Sequence, residues 1–178
     1  MKHTSGKMLV FDLETDGLLN DLTKIHCLVI YDSDTDTTIV YNDQGNEEPI
    51  VRGVQRLEDA DVIVGHNIIG YDIPAIRKIY PWFMPTAFVL DTLLLSRLYH
   101  TDIMETDQKR SIPNMPLQTY GRHSLESYGY RLGEYKGEFG KTTDWQDWSP
   151  EMETYCCQDV IVTTKLCDHF HKYLSGSD

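Results

Sequence analysis

Three short apolar segments follow one another near the start of the chain, before any helical pattern appears. They are MLVFD (8–12), HCLVIY (26–31) and TTIVY (37–41), and each is rich in β-branched residues and bounded by polar or turn-forming residues. Segments of this kind are typical of β-strands. Because the polar stretch DSDTDT (32–37) suits a turn between the second and third strands, the sequence predicts an antiparallel three-stranded meander.

The pattern then changes to alternating strands and helices. Two further strands are predicted, DVIVG (61–65) and FVL (88–90), and helical patterns separate them. Alternation of this kind favours parallel strands joined by helices that cover the sheet. We therefore predict the α/β class, with an RNase H-like mixed sheet in which the antiparallel meander and the parallel strands are flanked by helices. The helices predicted in this part of the chain span residues 49–60, 71–82 and 91–100.

The C-terminal half contains a long polar stretch and two more predicted helices. Residues 101–122 show no periodic pattern and are predicted to form a long loop. Residues 123–133 are predicted to form a short helix that ends at Gly133. The last helix is predicted to begin with Ser149 as its N-cap and Pro150 at its first position, and its apolar residues then recur at helical spacing.

Length and hydropathy limit the class of protein. A chain of 178 residues fits one domain, and we expect an N-terminal extension, residues 1–7, before a single domain, residues 8–178. No apolar run is long enough to span a membrane and no signal peptide is evident, so we expect a cytoplasmic protein without a membrane partner. The four cysteines include no C-x-x-C pair, which predicts reduced thiols and no zinc site.

The net charge of −12 limits how the chain can bind nucleic acid. Lysine and arginine contacts to phosphates supply most non-specific affinity for nucleic acids, and this chain has no surplus of either residue. A nucleic-acid role must therefore rely on bound cations and a short local contact, or on a partner that brings the substrate.

Two carboxylates stand close together at the end of the first predicted strand. Asp12 and Glu14 are two residues apart, so their side chains point to the same face of an extended strand. Like charges held this close repel each other, and a divalent cation with oxygen ligands is the usual compensation. The alternative is a solvated sheet edge, where water screens the pair.

Two more acidic residues occupy informative positions. Asp72 starts a predicted helix, and Asp159 lies four residues after Tyr155 on the last helix, so that Tyr155 and Asp159 share a face. Asp72 could serve as a helix cap, and Asp159 could be a solvated charge. The residues around Asp159 are apolar, however, and a carboxylate on a core-facing stripe needs a partner. A shared metal would satisfy both Asp12 and Asp159.

Other residues near these positions have structural explanations. Asp91 follows a predicted strand, and we expect it to cap the helix that begins after it. We expect His66 and His123 to be structural. Trp145 could stack on a base, but we expect it to pack its loop onto the core.

The motifs FDLET, N-x-x-x-Y-D and Y-x-x-x-D occur in this order and at domain-sized spacing. Together they resemble the three motifs of the DEDD 3′→5′ exonucleases in their tyrosine branch. The segments KIHCLVIYD (24–32), DTLLLSRL (91–98) and GRHSLESYGYRLGEYKGEF (121–139) are similar to the proofreading exonuclease domain of T-odd-type bacteriophage family A DNA polymerases. The resemblance covers nearly the whole chain after the first seven residues.

This resemblance implies a site and a mechanism. It implies that Asp12, Glu14 and Asp159 hold a Mg²⁺ ion that carries the attacking water, and that Asp12 also binds a second ion, which Asp72 supports through water. Mn²⁺ would substitute for Mg²⁺. Tyr155 would orient the attacking water by a hydrogen bond. The implied reaction releases nucleoside monophosphates from the 3′ end of single-stranded or frayed DNA.

The substrate contacts implied by the resemblance have structural alternatives. Leu18 matches a position at which the family wedges an apolar side chain against the terminal base, but it could instead be a core residue. Thr15 would contact the terminal nucleotide, or belong only to the turn TDG. Asn67 would contact the strand backbone, or stabilise its loop as an amide.

The implied biological context is DNA replication and proofreading in a phage. In the family a polymerase follows in the same polypeptide, so the expected partners are single-stranded DNA 3′ ends and a DNA polymerase in cis or in trans. Two alternatives remain: a 3′ exoribonuclease with the same site, and a non-catalytic module that binds a strand end or a partner.

Overall fold

The computed structural model describes residues 7–134 and 144–175, and a five-stranded sheet forms its centre. The strands lie in the order β3-β2-β1-β4-β5, so that β1 is the central strand. Their bounds agree with the five predicted strands to within a few residues. The strands are β1 (Met8–Thr15), β2 (Ile25–Asp32), β3 (Thr37–Asn42), β4 (Val62–Gly65) and β5 (Phe88–Asp91).

The sheet is mixed, and the change of direction occurs at β1. Strand β1 pairs with β2 in antiparallel orientation, and β2 pairs with β3 in the same way, which gives the predicted meander. On its other side β1 pairs with β4 in parallel orientation, and β4 is parallel to β5. The predicted α/β mixed sheet is therefore confirmed.

Helices cover both faces of this sheet. The longest helix, α6, packs on β1, β2 and β4, while α1 packs on β2 and β3. Two short non-α turns connect the elements, a π-helical turn at Ile68–Asp72 and a 3₁₀ turn at Leu117–Thr119. The α-helices are α1 (Ile50–Glu58), α2 (Ile73–Ile79), α3 (Thr92–Tyr99), α4 (Ile103–Arg110), α5 (Leu125–Arg131) and α6 (Pro150–Leu174).

The alternation of side chains along β1 positions the site. Leu9, Phe11 and Leu13 belong to the cluster that packs under α1. Val10 belongs instead to the cluster that includes residues of α6. Because successive side chains of a strand point to opposite faces, Asp12 and Glu14 lie on the α6 side of the sheet with Val10.

The start of α6 follows the predicted capping chemistry. The Ser149 side chain accepts a hydrogen bond from the Met152 N–H, and Pro150 occupies the first turn, where it costs no helical hydrogen bond. The cap fixes where α6 begins, and it therefore fixes which residues of its first turns face β1.

The predicted loop at 101–122 is wrong in part, because it contains α4 and the 3₁₀ turn. Asp107 of α4 is buried and accepts hydrogen bonds from the Arg131 guanidinium, with Nε to Oδ1 at 2.8 Å and NH2 to Oδ2 at 2.7 Å. The Gly121 N–H also donates to Asp107 Oδ2, at 2.8 Å. This ion pair with α5 stabilises α4 although its sequence is mostly polar.

The helix predicted at 71–82 is also divided differently. The π-helical turn contains Asp72, and α2 follows it and ends at Ile79. Asp72 makes no side-chain capping hydrogen bond, so the capping alternative for this residue is wrong. Asp91 does cap α3 as predicted, by accepting the Leu93 N–H at 2.9 Å.

Two further expectations concern the thiols and the membrane. All four cysteines are free in the structure. Within residues 7–134 and 144–175, no helix is both long and apolar enough to cross a membrane.

The predicted N-terminal extension, residues 1–7, lies outside the described residues except for Lys7, whose N–H donates to Asp61 Oδ2 at 2.7 Å.

Candidate active site

A cleft of ≈ 630 Å³ opens where the C-terminal end of β1 meets α6 and the π-helical turn. Residues of α3 and α5 complete its walls. The three motifs found in the sequence therefore reach one place in the fold, although they are up to 147 residues apart in the chain (159 − 12). All five predicted catalytic side chains line this cleft: Asp12, Glu14, Asp72, Tyr155 and Asp159.

Asp12 and Glu14 project from β1 and are half-buried. Their partners across the antiparallel ladder are Val29 and Cys27, and the register of β1 with β2 shifts just after Glu14. A local irregularity of this kind bends the strand and can redirect a side chain at its end. The solvated-edge alternative for the pair is wrong, because β1 is the central strand and the carboxylates lie within a cleft.

Asp72 is buried and lies close to Asp12. Burial and the charge of Asp12 raise the pKa of Asp72 well above its usual value. Both causes act against the ionised form, since the carboxylate loses water and meets a like charge. A cation bound between these groups would remove both penalties.

Tyr155 and Asp159 lie one turn apart on α6, and Asp159 is buried. The alternative in which Asp159 is a solvated helix charge is therefore wrong. The Trp145 ring meets Tyr155 edge to face, with centroids 6.4 Å apart. The Trp145 carbonyl accepts a hydrogen bond from His26 Nε2 at 2.8 Å, so Trp145 both packs onto the core, as expected, and forms a wall of the cleft.

Thr15 and Tyr71 support the turn that follows β1. The Tyr71 hydroxyl donates to the Gly17 carbonyl at 2.6 Å, and it is also in hydrogen-bond contact with the Thr15 hydroxyl. Thr15 itself donates to the Gly17 carbonyl at 2.9 Å. Thr15 therefore has a structural role in the turn, and its contact with a terminal nucleotide stays a prediction.

Leu18 lies at the tip of this turn with 76% of its surface exposed. The core alternative for Leu18 is wrong. The side chain borders a second cavity of ≈ 460 Å³, which shares Glu14, Tyr71 and Trp145 with the main cleft. Its contact with a terminal base stays a prediction.

Asn67 precedes the π-helical turn in a left-handed conformation, with φ 63°. Its backbone N–H donates to Asp91 Oδ1 at 2.9 Å, and the Ile69 N–H donates to Asp91 Oδ2 at 3.0 Å. The loop is thus held through the backbone, while the exposed Asn67 side chain lines the cleft. Its contact with a substrate backbone stays a prediction.

Two arginines in the cleft were not among the predicted site residues. Arg97 of α3 and Arg122, just before α5, are exposed and line the cleft together with the carboxylates. Arg97 follows Leu93 by four residues, so the predicted helix already placed both on one face. The four-residue spacing was visible in the sequence, but only the fold shows that this face of α3 borders the site.

Two histidines in the walls have structural hydrogen bonds, as expected. His66 Nδ1 pairs with the Thr92 hydroxyl at 2.9 Å, and His123 Nδ1 pairs with the Ser96 hydroxyl at 2.6 Å. Both bonds join cleft residues to the buried side of α3, so they fix the walls of the cleft.

The donor atoms of this site suit a divalent cation. Oxygen atoms of Asp12 and Glu14 and the Sγ atom of Cys156 lie within 4.8 Å of one another. Asp72 adds a carboxyl group close enough to Asp12 for its pKa to be raised. Carboxylate oxygens are the ligands that Mg²⁺ prefers, and a bound cation offsets the repulsion among them.

Comparisons with known proteins identify similar sequences. Residues 9–171 match the family model of the RNase H superfamily. The DNA-directed DNA polymerases of Escherichia phage T7 and Enterobacteria phage T3 are 35% and 34% identical over 191 and 185 residues. Each alignment covers 90% of this chain and 26% of the polymerase, so the chain spans about a quarter of the length of these relatives. The matches confirm the resemblance that the motifs indicated.

Solved structures share the fold at low sequence identity. The family B DNA polymerase of Pyrobaculum calidifontis superposes with a TM-score of 0.62 at 19% identity, over 95% of this chain and 25% of that chain. Brucella melitensis NrnC with bound Mg²⁺ gives a TM-score of 0.63 at 19% identity, over 94% and 73%. The same protein bound to pGG gives 0.63 at 18% identity, over 95% and 74%.

Proposed function

Because the chain belongs to the RNase H superfamily, we propose that it is a metal-dependent 3′→5′ exonuclease that acts on single-stranded or frayed DNA. One observation carries the proposal: four acidic side chains and a tyrosine from three distant segments line a single cleft. A module that only binds a partner has no evident physical reason to gather these groups and bear the repulsion that raises the pKa of Asp72.

The carboxylates divide between two cation positions in this proposal. Asp12, Glu14 and Asp159 would hold one Mg²⁺, and Asp12 and Asp72 would help to hold a second. Such ions would supply a nucleophile at neutral pH and would stabilise charge on both the attacking and the leaving oxygen of an in-line displacement. Mn²⁺ takes the same oxygen ligands and substitutes for Mg²⁺.

Tyr155 orients the attacking water in this proposal. Its phenol hydroxyl would hold that water through a hydrogen bond. Trp145 packs against the Tyr155 ring and limits its motion. Rigid support of this kind keeps a catalytic hydroxyl in one orientation.

Substrate binding is local, as an acidic chain requires. Arg97 and Arg122 line the same cleft as the carboxylates and can pair with phosphates of a short strand that enters it. The side chain of Leu18, which is exposed, contacts the terminal base in this proposal. A few contacts around one strand end suit a single strand or a frayed terminus, and they leave a long duplex unbound.

DNA is the proposed substrate because the two relatives above 30% identity are DNA-directed DNA polymerases. A 3′ exoribonuclease that uses the same carboxylates is the second candidate. The fold is also that of NrnC, which was solved bound to pGG. The motifs do not themselves read the 2′ hydroxyl that distinguishes RNA from DNA.

The proposal extends to the biological setting. We take residues 8–178 as one exonuclease domain that works in phage DNA replication and proofreading, in the host cytoplasm. A DNA polymerase is its proposed partner, in cis or in trans. Fraying of a mismatched primer end would then deliver a single-stranded 3′ terminus to the cleft.

A gel assay tests this proposal. Matched DNA and RNA oligonucleotides, labelled at the 5′ end, are incubated with the protein in Mg²⁺, Mn²⁺ or EDTA, beside the Asp159→Asn variant. We expect a DNA ladder that shortens from the 3′ end and is absent in EDTA and with the variant. A faster RNA ladder would move the assignment to the exoribonuclease. Intact substrates under all conditions would contradict a catalytic role for this chain.

A further inference from the structure

A β-bulge at His26 interrupts the pairing of β1 with β2 beside the cleft. Glu14 pairs with Cys27, and the next pair along the ladder joins Thr15 to Ile25, so His26 is left out of the register with β1. Residues two apart share a face in a regular strand. Here Ile25 packs in the cluster under α1, whereas Cys27 packs in the cluster that includes residues of α6. The bulge therefore redirects the side chains at this end of β2.

The His26 side chain reaches the segment that precedes α6. It is buried, and its Nε2 lies 2.8 Å from the Trp145 carbonyl oxygen, across 119 residues of sequence. Because a carbonyl oxygen only accepts hydrogen bonds, Nε2 carries the proton and donates it. The Trp145 ring in turn meets Tyr155 edge to face, with centroids 6.4 Å apart. His26 is thus connected to Tyr155 through Trp145.

A second contact holds the same segment at its other end. Trp148 Nε1 donates to Glu153 Oε1 at 3.0 Å, which attaches the segment to the first turns of α6. The bond from His26 acts on the backbone of Trp145 itself. It therefore bears more directly than the Trp148 bond on the ring that contacts Tyr155.

We propose that His26 is a positioning residue for the nuclease reaction: by holding the backbone of Trp145, it keeps the Trp145 ring against Tyr155 and fixes the orientation of the Tyr155 hydroxyl. The inference deepens the proposed function and rests on it. His26 does not line the cleft, so it acts through Trp145 and not on the substrate. A catalytic group that is less well oriented lowers the rate of the chemical step more than it lowers substrate affinity.

Steady-state kinetics on single-stranded DNA in Mg²⁺ test this role. His26→Leu removes the donor, and we expect kcat to fall about 5- to 10-fold while KM changes less than about 2-fold. His26→Gln should restore kcat to within about 2-fold of the wild type, because its amide nitrogen can replace Nε2 as the donor. An unchanged kcat in His26→Leu would overturn the proposal.

An exposed contact of the same segment provides the control. Lys24 Nζ and Asp147 Oδ1 are 3.9 Å apart, and their side chains are 51% and 91% exposed. Exposed pairs of this kind contribute little to stability. Lys24→Ala should therefore leave kcat unchanged. A loss as large as that of His26→Leu would overturn the proposal, because it would show that any contact of this segment affects the rate.

A double-mutant cycle separates positioning from a general loss of structure. Tyr155→Phe removes the hydroxyl, so His26→Leu in that background should lower kcat by less than about 2-fold. Equal losses in both backgrounds would overturn the proposal, because His26 would then act independently of Tyr155. His26→Asn covers the possibility that leucine disturbs folding. Its amide is too short to replace Nε2, so it should show the same loss and the same dependence on Tyr155, and circular dichroism verifies the helix content of each variant.

Fluorine NMR of protein labelled with fluorotryptophan reports the position of Trp145 without metal or substrate. Trp145→Phe assigns the resonance by removing it. We expect His26→Leu to shift or broaden the Trp145 resonance and His26→Gln to restore it, while the resonance of Trp82 stays unchanged. An unchanged Trp145 resonance in His26→Leu would overturn the proposal.

The positioning role and the nuclease activity fail separately. Absence of cleavage by the wild type would contradict the proposed function, and the fluorine spectra would still show whether His26 holds Trp145 in place. Cleavage by the wild type, together with equal losses in both backgrounds or an unchanged Trp145 resonance, would overturn only the positioning role of His26.

Discussion

The carboxyl group of Asp72 is buried beside the Asp12 carboxylate, and burial and the Asp12 charge raise its pKa well above its usual value. The two residues come from different elements, since β1 contributes Asp12 and the π-helical turn contributes Asp72. The fold thus holds together two acids that repel each other. Such an arrangement lowers stability unless a cation occupies the space between them.

Replacing Asp72 should stabilise the protein when no metal is bound. In EDTA at pH 7.5, we expect Asp72→Asn to raise the melting temperature by about 2–4 °C. The amide cannot ionise, so the variant avoids a cost of about 1 kcal/mol in the free energy of unfolding that the buried carboxylate imposes. The exposed Asp34→Asn should not change it. Scanning calorimetry of the three proteins checks this, and a lower melting temperature for Asp72→Asn would contradict the repulsion.

The same carboxyl group should make stability depend on pH. The pKa of Asp72 is higher in the folded state than in the unfolded state, where it is about 4. The stabilisation that the protonated Asp72 gives to the folded state is therefore complete below pH 4, and it is lost as the pH rises through the folded-state pKa. In EDTA, the contribution of Asp72 to the free energy of unfolding should therefore decline as the pH rises above about 4. Asp72→Asn should lack this decline, and melting curves across the range provide the test.

The buried ion pair between Asp107 and Arg131 should stabilise the fold far from the site. Although burial opposes it, hydrogen bonds from Arg131 and the Gly121 N–H lower the pKa of Asp107. Asp107→Ala leaves the Arg131 guanidinium buried without its carboxylate, so we expect a loss of about 3–5 kcal/mol in the free energy of unfolding.

A surface pair on the same helix is the control for this prediction. Lys109 and Glu105 are 3.6 Å apart, and their side chains are 78% and 71% exposed. Glu105→Ala should therefore change the free energy of unfolding by less than about 0.5 kcal/mol. Urea denaturation measures both variants, and similar effects would mean that the Asp107 pair is not buried in solution.

Leu18 should affect activity without affecting stability. Since its side chain is 76% exposed, Leu18→Ala should change the free energy of unfolding by less than about 0.5 kcal/mol. Loss of its apolar contact with a terminal base should lower the exonuclease rate on frayed DNA ends about 10-fold. The buried Leu22 is the matched control, because Leu22→Ala should cost about 2–5 kcal/mol of stability.

Arg97 should bind a substrate phosphate. We expect Arg97→Gln, combined with Asp159→Asn to prevent cleavage, to weaken single-stranded DNA binding and to reduce the slope of log K against log salt by about 0.7 for each lost phosphate contact. Arg52 is exposed on α1 and does not line the cleft. Arg52→Gln in the same background should leave the slope unchanged, and fluorescence anisotropy at several salt concentrations measures both.

Local patterns in the sequence were sufficient for the framework of the fold and for the direction in which two of the acidic segments face, whereas the resemblance to known motifs joined the acidic residues into one site. The spacing of Asp12 and Glu14 placed both on one strand face, and the apolar neighbours of Asp159 indicated that it faces inward. Ser149 and Asp91 were recognised as caps from chemistry within a few residues. Each of these features depends on interactions between near neighbours in the chain.

Features that depend on distant residues were missed. Helix α4 has a polar sequence, and its buried Asp107 is stabilised by Arg131, which lies 24 residues away. The left-handed Asn67 and the π-helical turn depend on Asp91, across a gap of 24 residues. The position of Arg97 in the cleft follows from the packing of α3. No local periodicity carries information of this kind.

If the gathered carboxylates form a metal-dependent 3′ exonuclease site, the protein should release mononucleotides from single-stranded DNA. Chromatography should detect nucleoside monophosphates with the wild type and Asp34→Asn in Mg²⁺, none in EDTA, and a rate lowered about 10³-fold by Asp12→Asn. Undiminished release in EDTA or by Asp12→Asn, or no release by the wild type in Mg²⁺, would contradict the account.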